Sequence, residues 1–147
     1  MTLEWTRHLV IVPVLLPLLC GALMAPLGLV EWVEAAQFDA VAALAGSGPA
    51  FVYRSIDAPA EAGGAIGVPA ERALRLALAT VEGGALLAAQ ASDVPAGLAD
   101  KVASPGGSTR DGLNVLDRDE ALKRLLIETL AASVRRNGEM AAAARGG

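Results

Sequence analysis

Hydrophobic and polar positions divide this chain into two regimes. After Arg7 and His8, Leu9 to Val30 is a run of 22 residues without a charge, closed by Glu31. About 20 apolar residues are enough to cross a bilayer, so the run reads as a membrane segment. A secretory signal, with its short basic start and apolar core, and an appendage without function are the rival readings. Pro13, Pro17 and Pro26 interrupt the run, and membrane helices carry prolines only where neighbours take up the freed carbonyls. Ala22-Leu23-Met24-Ala25 spaces its small residues wrongly for signal cleavage, and Leu18-Leu19-Cys20 lacks the small residue a lipoprotein site places before its cysteine. Arg7 biases the N-terminal end towards the cytoplasm, and Glu4 dilutes the bias.

From Glu31 onward the pattern is Ala-rich, with dispersed charges and the spacing of helices. Leu29 to Val33 is a short strand-like exception. A short helix is predicted from Gln37 to Ala45, ended by Gly46-Ser47-Gly48-Pro49. A second begins near Pro49 and runs towards Gly63-Gly64, with Pro59 expected to kink or break it. A third starts at Pro69, with Glu71 at the positive end of the helix dipole. Its stripe Leu74, Leu78, Val81 and Ala85 is joined by Leu76, Ala79, Gly83 and Leu87 on other faces. A helix apolar on most sides is buried on most sides, and in a chain this short that calls for a partner molecule. Ser92-Asp93-Val94-Pro95 caps a short helix reaching about Val102. The loop Ala103 to Thr109 leads into a helix from Arg110 to Leu116. Asp117 to Glu120 opens the last helix, with Leu122, Leu125, Leu126, Thr129 and Leu130 inward and Arg135 and Arg136 towards its C-terminal end. The closing Ala-rich segment is expected to fray.

Composition narrows the chemistry. Twelve Lys and Arg against sixteen Asp and Glu leave a net charge of −4, without the clustered positive charge that nucleic-acid binding needs. One cysteine excludes an internal disulfide framework and a Cys-rich zinc site, and one histidine leaves little room for a Ser-His-Asp triad. Cys20 reads as a buried small hydrophobe and His8 as a flank of the apolar run. Asp117, Asp119 and Glu120 read as a solvated helix start, so no metal site is expected. Gly46-Ser47-Gly48-Pro49 fails as a dinucleotide fingerprint, because Phe51 stands at the third-glycine position and no βαβ unit surrounds it. Ser104-Pro105-Gly106-Gly107-Ser108-Thr109 says more. Its glycines let the backbone approach a ligand, and the amides that follow open a helix suited to a carboxylate or phosphate. A self-capping helix start is the alternative.

Gln37-Phe38-Asp39-Ala40-Val41, Ala43 to Phe51, Gly67-Val68-Pro69 and the block Pro95 to Asp117 carry a resemblance. From about residue 30 to 140 the chain resembles the C-terminal, dimerising domain of pyrroline-5-carboxylate reductase. The resemblance implies an all-α domain of the 6-phosphogluconate dehydrogenase C-terminal-like type, interlocked with a second copy as a homodimer and located in the cytoplasm. It implies reduction of 1-pyrroline-5-carboxylate to L-proline by NADPH or NADH in the complete enzyme. Ser104, Pro105, Gly106, Gly107, Ser108 and Thr109 would receive the substrate carboxylate. The Thr109 hydroxyl, as the catalytic group, would bond the ring nitrogen. Gly46, Ser47, Gly48 and Pro49 would lie beside the nicotinamide end of the cleft.

The departures matter as much. The family's N-terminal Rossmann domain is missing, and residues 1–29 stand in its place as a separate segment. Pro13 to Leu19 at its centre resembles the first membrane helix of one membrane component of the multisubunit sodium/proton antiporters. Ala42 and Ala45 stand where the family has hydroxyl residues, Pro59 replaces an apolar helix residue, and Ser108 a threonine. The chain thus reads as a truncated reductase-like protein that supplies dimerisation and part of the substrate site, binds no cofactor tightly and is inactive alone. The alternatives are a membrane-anchored helical interaction module and a partner in mixed dimers with a full-length reductase.

Overall fold

The computed structural model describes residues 16–146. They fall into two units, the first ending at Gln37 and the second beginning at Phe38. His8 and residues 9–15 of the uncharged run lie outside the described residues. In the first unit residues 16–24 are helical, followed by a 3-10 turn Ala25–Leu27 that contains Pro26. No helix among the described residues is long and apolar enough to cross a membrane. Cys20 is exposed, not buried as its leucine neighbours suggested. The strand-like run 29–33 is irregular, because a lone extended segment has no partner to accept its backbone bonds. A Cβ on Gly21 would meet the Trp32 ring at 3.8 Å, so the chain folds back closely there.

The second unit is built from helices, and no strand occurs among the described residues. Helix α1, Phe38–Val41, runs into a π-helical turn, Ala42–Gly46, closed by the Ser47 amide donating to the Ala42 carbonyl at 3.1 Å. One residue later α2, Gly48–Ala65, begins with Pro49 in its first turn, where a missing N–H costs nothing. Pro59 does not break α2, contrary to expectation. The bond it removes would have ended on the Ser55 carbonyl, and Ser55 is exposed, so water can satisfy that oxygen.

Gly67 explains the sharp end of α2. It takes φ +99, the Val68 amide bonds the Gly63 carbonyl at 3.0 Å, and the Gly67 amide bonds the Gly64 carbonyl at 3.1 Å. These two bonds form a Schellman cap, which favours glycine because an L side chain is strained at this positive φ. Pro69 then caps α3, Ala70–Gln90, which packs back along α2. A Cβ on Gly63 would stand only 3.2 Å from that of Ala73. The covered face of α3 carries Ala73, Ala77 and Val81, while Leu74 and Leu78 lie beside it uncovered. Of the stripe Leu74, Leu78, Val81 and Ala85, only Val81 is thus on the face that meets the rest of the chain.

Helix α4, Pro95–Val102, starts without the side-chain cap expected from Ser92 and Asp93, and the Asp93 carboxylate pairs instead with Lys101. Helix α5, Ser108–Asp117, leads through a 3-10 turn, Arg118–Glu120, into α6, Ala121–Arg145. The last helix therefore opens four residues later than Asp117 and does not fray at its alanines, which are the best helix formers. Asp119 and Glu120 both lie in the left-handed region, at φ 52 and 55. The Lys123 ammonium, by hydrogen bond and charge, holds the Glu120 carboxyl below its usual range. The C-terminal half of α6 covers α1 and the π turn: Asn137 Nδ2 donates to the Asp39 carbonyl at 3.3 Å, and the Ser47 and Ser133 hydroxyls meet at 3.2 Å. Leu122, Leu125 and Leu126, predicted to face inward, are exposed.

Two variants probe the backbone of these helices. Pro59→Ala restores an α2 hydrogen bond and should raise stability by about 1–3 kcal/mol, given the ~3 kcal/mol cost of an interior proline, read from thermal or urea unfolding. Replacing Asp119 and Glu120 together by glycine should raise the unfolding midpoint, because each left-handed L-residue costs roughly 1–2 kcal/mol. A lowered midpoint would mean that their carboxylates stabilise the link more than its dihedrals strain it.

Candidate functional site

The turn between α4 and α5 is organised by its own backbone. Ala103, the last residue before it, is 4 % exposed. The Ser104 carbonyl accepts the Gly107 amide at 3.0 Å across Pro105 and Gly106, and Gly106 takes φ +70. Pro at the second position and a left-handed Gly at the third match a type II turn. Gly107 follows in extended geometry as the N-cap of α5, and a Cβ there would lie 3.1 Å from the Ser104 carbonyl oxygen. Each of the two glycines is thus required for a different reason, dihedral at 106 and space at 107.

The first bond inside α5 runs from the Asp111 amide to the Gly107 carbonyl at 3.2 Å, and no side chain caps the helix. The amides of Ser108, Thr109 and Arg110 therefore open the helix without an intrahelical acceptor. Ser104, Ser108 and Thr109 are exposed, and their hydroxyls have no hydrogen-bond partner among the described residues. The self-capping alternative is not realised through these side chains. Three amides, the positive end of a helix dipole and hydroxyls that both donate and accept suit a small carboxylate or phosphate.

The six predicted residues Ser104 to Thr109 thus form one continuous turn and helix start. The second predicted group does not join them: no hydrogen bond or ion pair links Gly46–Pro49 to this turn among the described residues. There the Ser47 amide and hydroxyl are already engaged, with Ala42 and Ser133. A dinucleotide needs a strand–turn–helix cradle for its pyrophosphate, and the described residues, which include no strand, do not fit one. No group of His, Cys, Asp and Glu among the described residues could hold a metal ion.

Sequence reasoning missed Arg110. Its Nη2 donates to Asp100 Oδ1 at 2.8 Å and to the Ala103 carbonyl at 3.4 Å. A cation in the first turn of a helix opposes the dipole, and that misfit was the signal available. A shallow apolar groove of about 210 Å³ lies elsewhere, between α2 and α3, lined by Pro59, Gly63, Leu76 and Thr80 among others.

An all-helical unit that leaves its large apolar side chains uncovered has the character of an assembly domain. Residues 35–140 match the family described as pyrroline-5-carboxylate reductase dimerisation, and the chain belongs to that family. It is 37% identical over 118 residues to the pyrroline-5-carboxylate reductase of Glycine max, covering 80% of this chain and 43% of that protein. Among solved structures it is similar to the Coxiella burnetii pyrroline-5-carboxylate reductase, with TM-score 0.77 and 37% identity, over 82% of this chain and 45% of that one. The NADP-bound pyrroline carboxylate reductase of Plasmodium falciparum gives TM-score 0.70 at 27% identity, over 77% and 45% of the two chains. The chain thus spans less than half the length of these relatives.

The turn makes its own prediction. Gly106→Ala places a Cβ at φ +70 and should destabilise by about 1 kcal/mol, with NMR shifts confined to residues 103–110. An unchanged unfolding midpoint would show that the turn readily takes another form.

Proposed function

We propose that this chain works as the dimerising domain of a pyrroline-5-carboxylate reductase and presents half of the substrate site at the Ser104–Thr109 turn. The observation that carries the proposal is the extent of uncovered apolar surface. Only Ala43, Ala73 and Ala103 are buried among the described residues, at 0, 5 and 4 % exposure, while Leu78 and Leu87 of α3 stand 47 and 59 % exposed. Uncovered large apolar side chains in this number mark a chain built to assemble. A second copy is the occupant that membership of this family favours.

In such a dimer the residues of the turn bind and orient. The amides of Ser108, Thr109 and Arg110 hold the carboxylate of 1-pyrroline-5-carboxylate, and the exposed Thr109 hydroxyl bonds its ring nitrogen. Fixing both ends of a small ring removes rotational freedom before reaction, which is the advantage of a pre-formed site. Gly46–Pro49 would flank the nicotinamide end of the cleft in a complete reductase. Hydride donation belongs to a dinucleotide that the described residues do not fit, so the chain's own share is binding and orientation. The same assembly face would also accept a full-length reductase chain, giving a mixed dimer.

Light scattering across a dilution series tests the assembly. The wild-type chain should have twice its 14.9 kDa mass. Leu78→Asp should weaken the dimer at least about a hundredfold, since a two-fold interface loses two buried leucines at roughly 1.5–3 kcal/mol each. A wild-type chain that stays monomeric and well dispersed at tens of micromolar would overturn the proposal.

A further inference from the structure

Arg110 is the one residue of the anion turn whose side chain points away from the role of its backbone. Its amide opens α5, while its guanidinium reaches back across the turn to Asp100 Oδ1 at 2.8 Å and the Ala103 carbonyl at 3.4 Å. Both acceptors lie at the C-terminal end of α4, where free carbonyls carry negative partial charge. A cation placed unfavourably for its own helix is thus placed favourably for the preceding one. The two contacts close a ring over the chain from Asp100 to Arg110, and every residue from Ser104 to Thr109 lies inside it. The Arg110 side chain is 32 % exposed, so the pair is shielded on one side. As a surface ion pair it adds little to global stability; its consequence is local.

From this bracket we propose that Arg110 is a positioning residue, which fixes the ends of the Ser104–Thr109 turn and so sets its affinity for a small carboxylate. The inference rests on the reading of the turn as an anion site for its second half only. The geometric half stands without a ligand. Arginine suits the task because one planar guanidinium can serve a carboxylate and a carbonyl together, whereas an ammonium is a single point charge.

The test uses the full chain in two stages. Without ligand, amide hydrogen exchange is followed at Gly107, whose N–H is held by Ser104. Arg110→Ala should speed that exchange at least threefold while the unfolding midpoint and solution mass stay unchanged, and Arg110→Lys should restore part of the protection. Unchanged Gly107 exchange in Arg110→Ala overturns the positioning role, whatever the ligand does. With L-proline as the probe, the Ser108 and Thr109 amide resonances of wild type should shift on titration, and pyrrolidine, which lacks the carboxylate, should not shift them. Arg110→Ala should then need at least threefold more L-proline for half the shift, and Asp100→Asn should add little once Arg110 is gone. Equal affinities in wild type and Arg110→Ala overturn the link from bracket to binding. If wild type shows no L-proline shift, the anion reading and that link fail together, while the exchange result still decides whether Arg110 orders the turn.

Discussion

The constraint on which the rest of the molecule depends is that its helices meet through alanine and glycine. Ala43 is enclosed in the π turn, Ala73 lies under α2 and Ala103 precedes the Ser104–Thr109 turn. Each contributes one methyl group, so burial within the second unit is worth little at about 25 cal/mol per Å² of apolar area. Domains of this length normally bury large aliphatic side chains to offset the entropy of ordering the chain. Here those side chains are present but point outward, on α3 and on the first half of α6. In the proposed dimer, folding and association would become one process, and the stability of the chain would depend on its own concentration.

The Ser104–Thr109 turn has a different source of order. Its shape comes from backbone: a Pro-Gly turn closed by Ser104 and Gly107, a glycine that leaves space for a carbonyl, and a helix whose opening amides are left over. A site of this kind needs no buried charge and no perturbed acid. The proposed site therefore does not depend on the chain's one histidine or one cysteine. The hydroxyl of Thr109 is its most versatile side-chain group, able to donate or accept.

Much of this was readable in advance, and the failures have physical causes. Helix positions followed from Pro49, Pro69 and Pro95, each of which starts a helix, and from the glycines that end them. The need for a partner molecule was inferred from α3 being apolar all round, and its exposed leucines agree. The face of α3 that meets α2, made by Ala73, Ala77 and Val81, could not be singled out in a helix that is apolar on most sides. Pro59 was expected to disrupt α2, and the exposure of Ser55, which a sequence does not display, makes it tolerable. The loop expected from Ala103 to Thr109 is a turn that runs into α5, which starts two residues earlier than Arg110. Arg110 was missed because its partners, Asp100 and Ala103, become neighbours only once that turn has formed.

Gly63 leaves a last consequence. With a virtual Cβ 3.2 Å from the Ala73 methyl, the separation of α2 and α3 is set by the absence of one atom. Any side chain there would wedge the hairpin open and widen the groove beside Pro59, altering the outline that a second molecule meets. Variation at this half-buried glycine would therefore be felt first in the spacing of the hairpin.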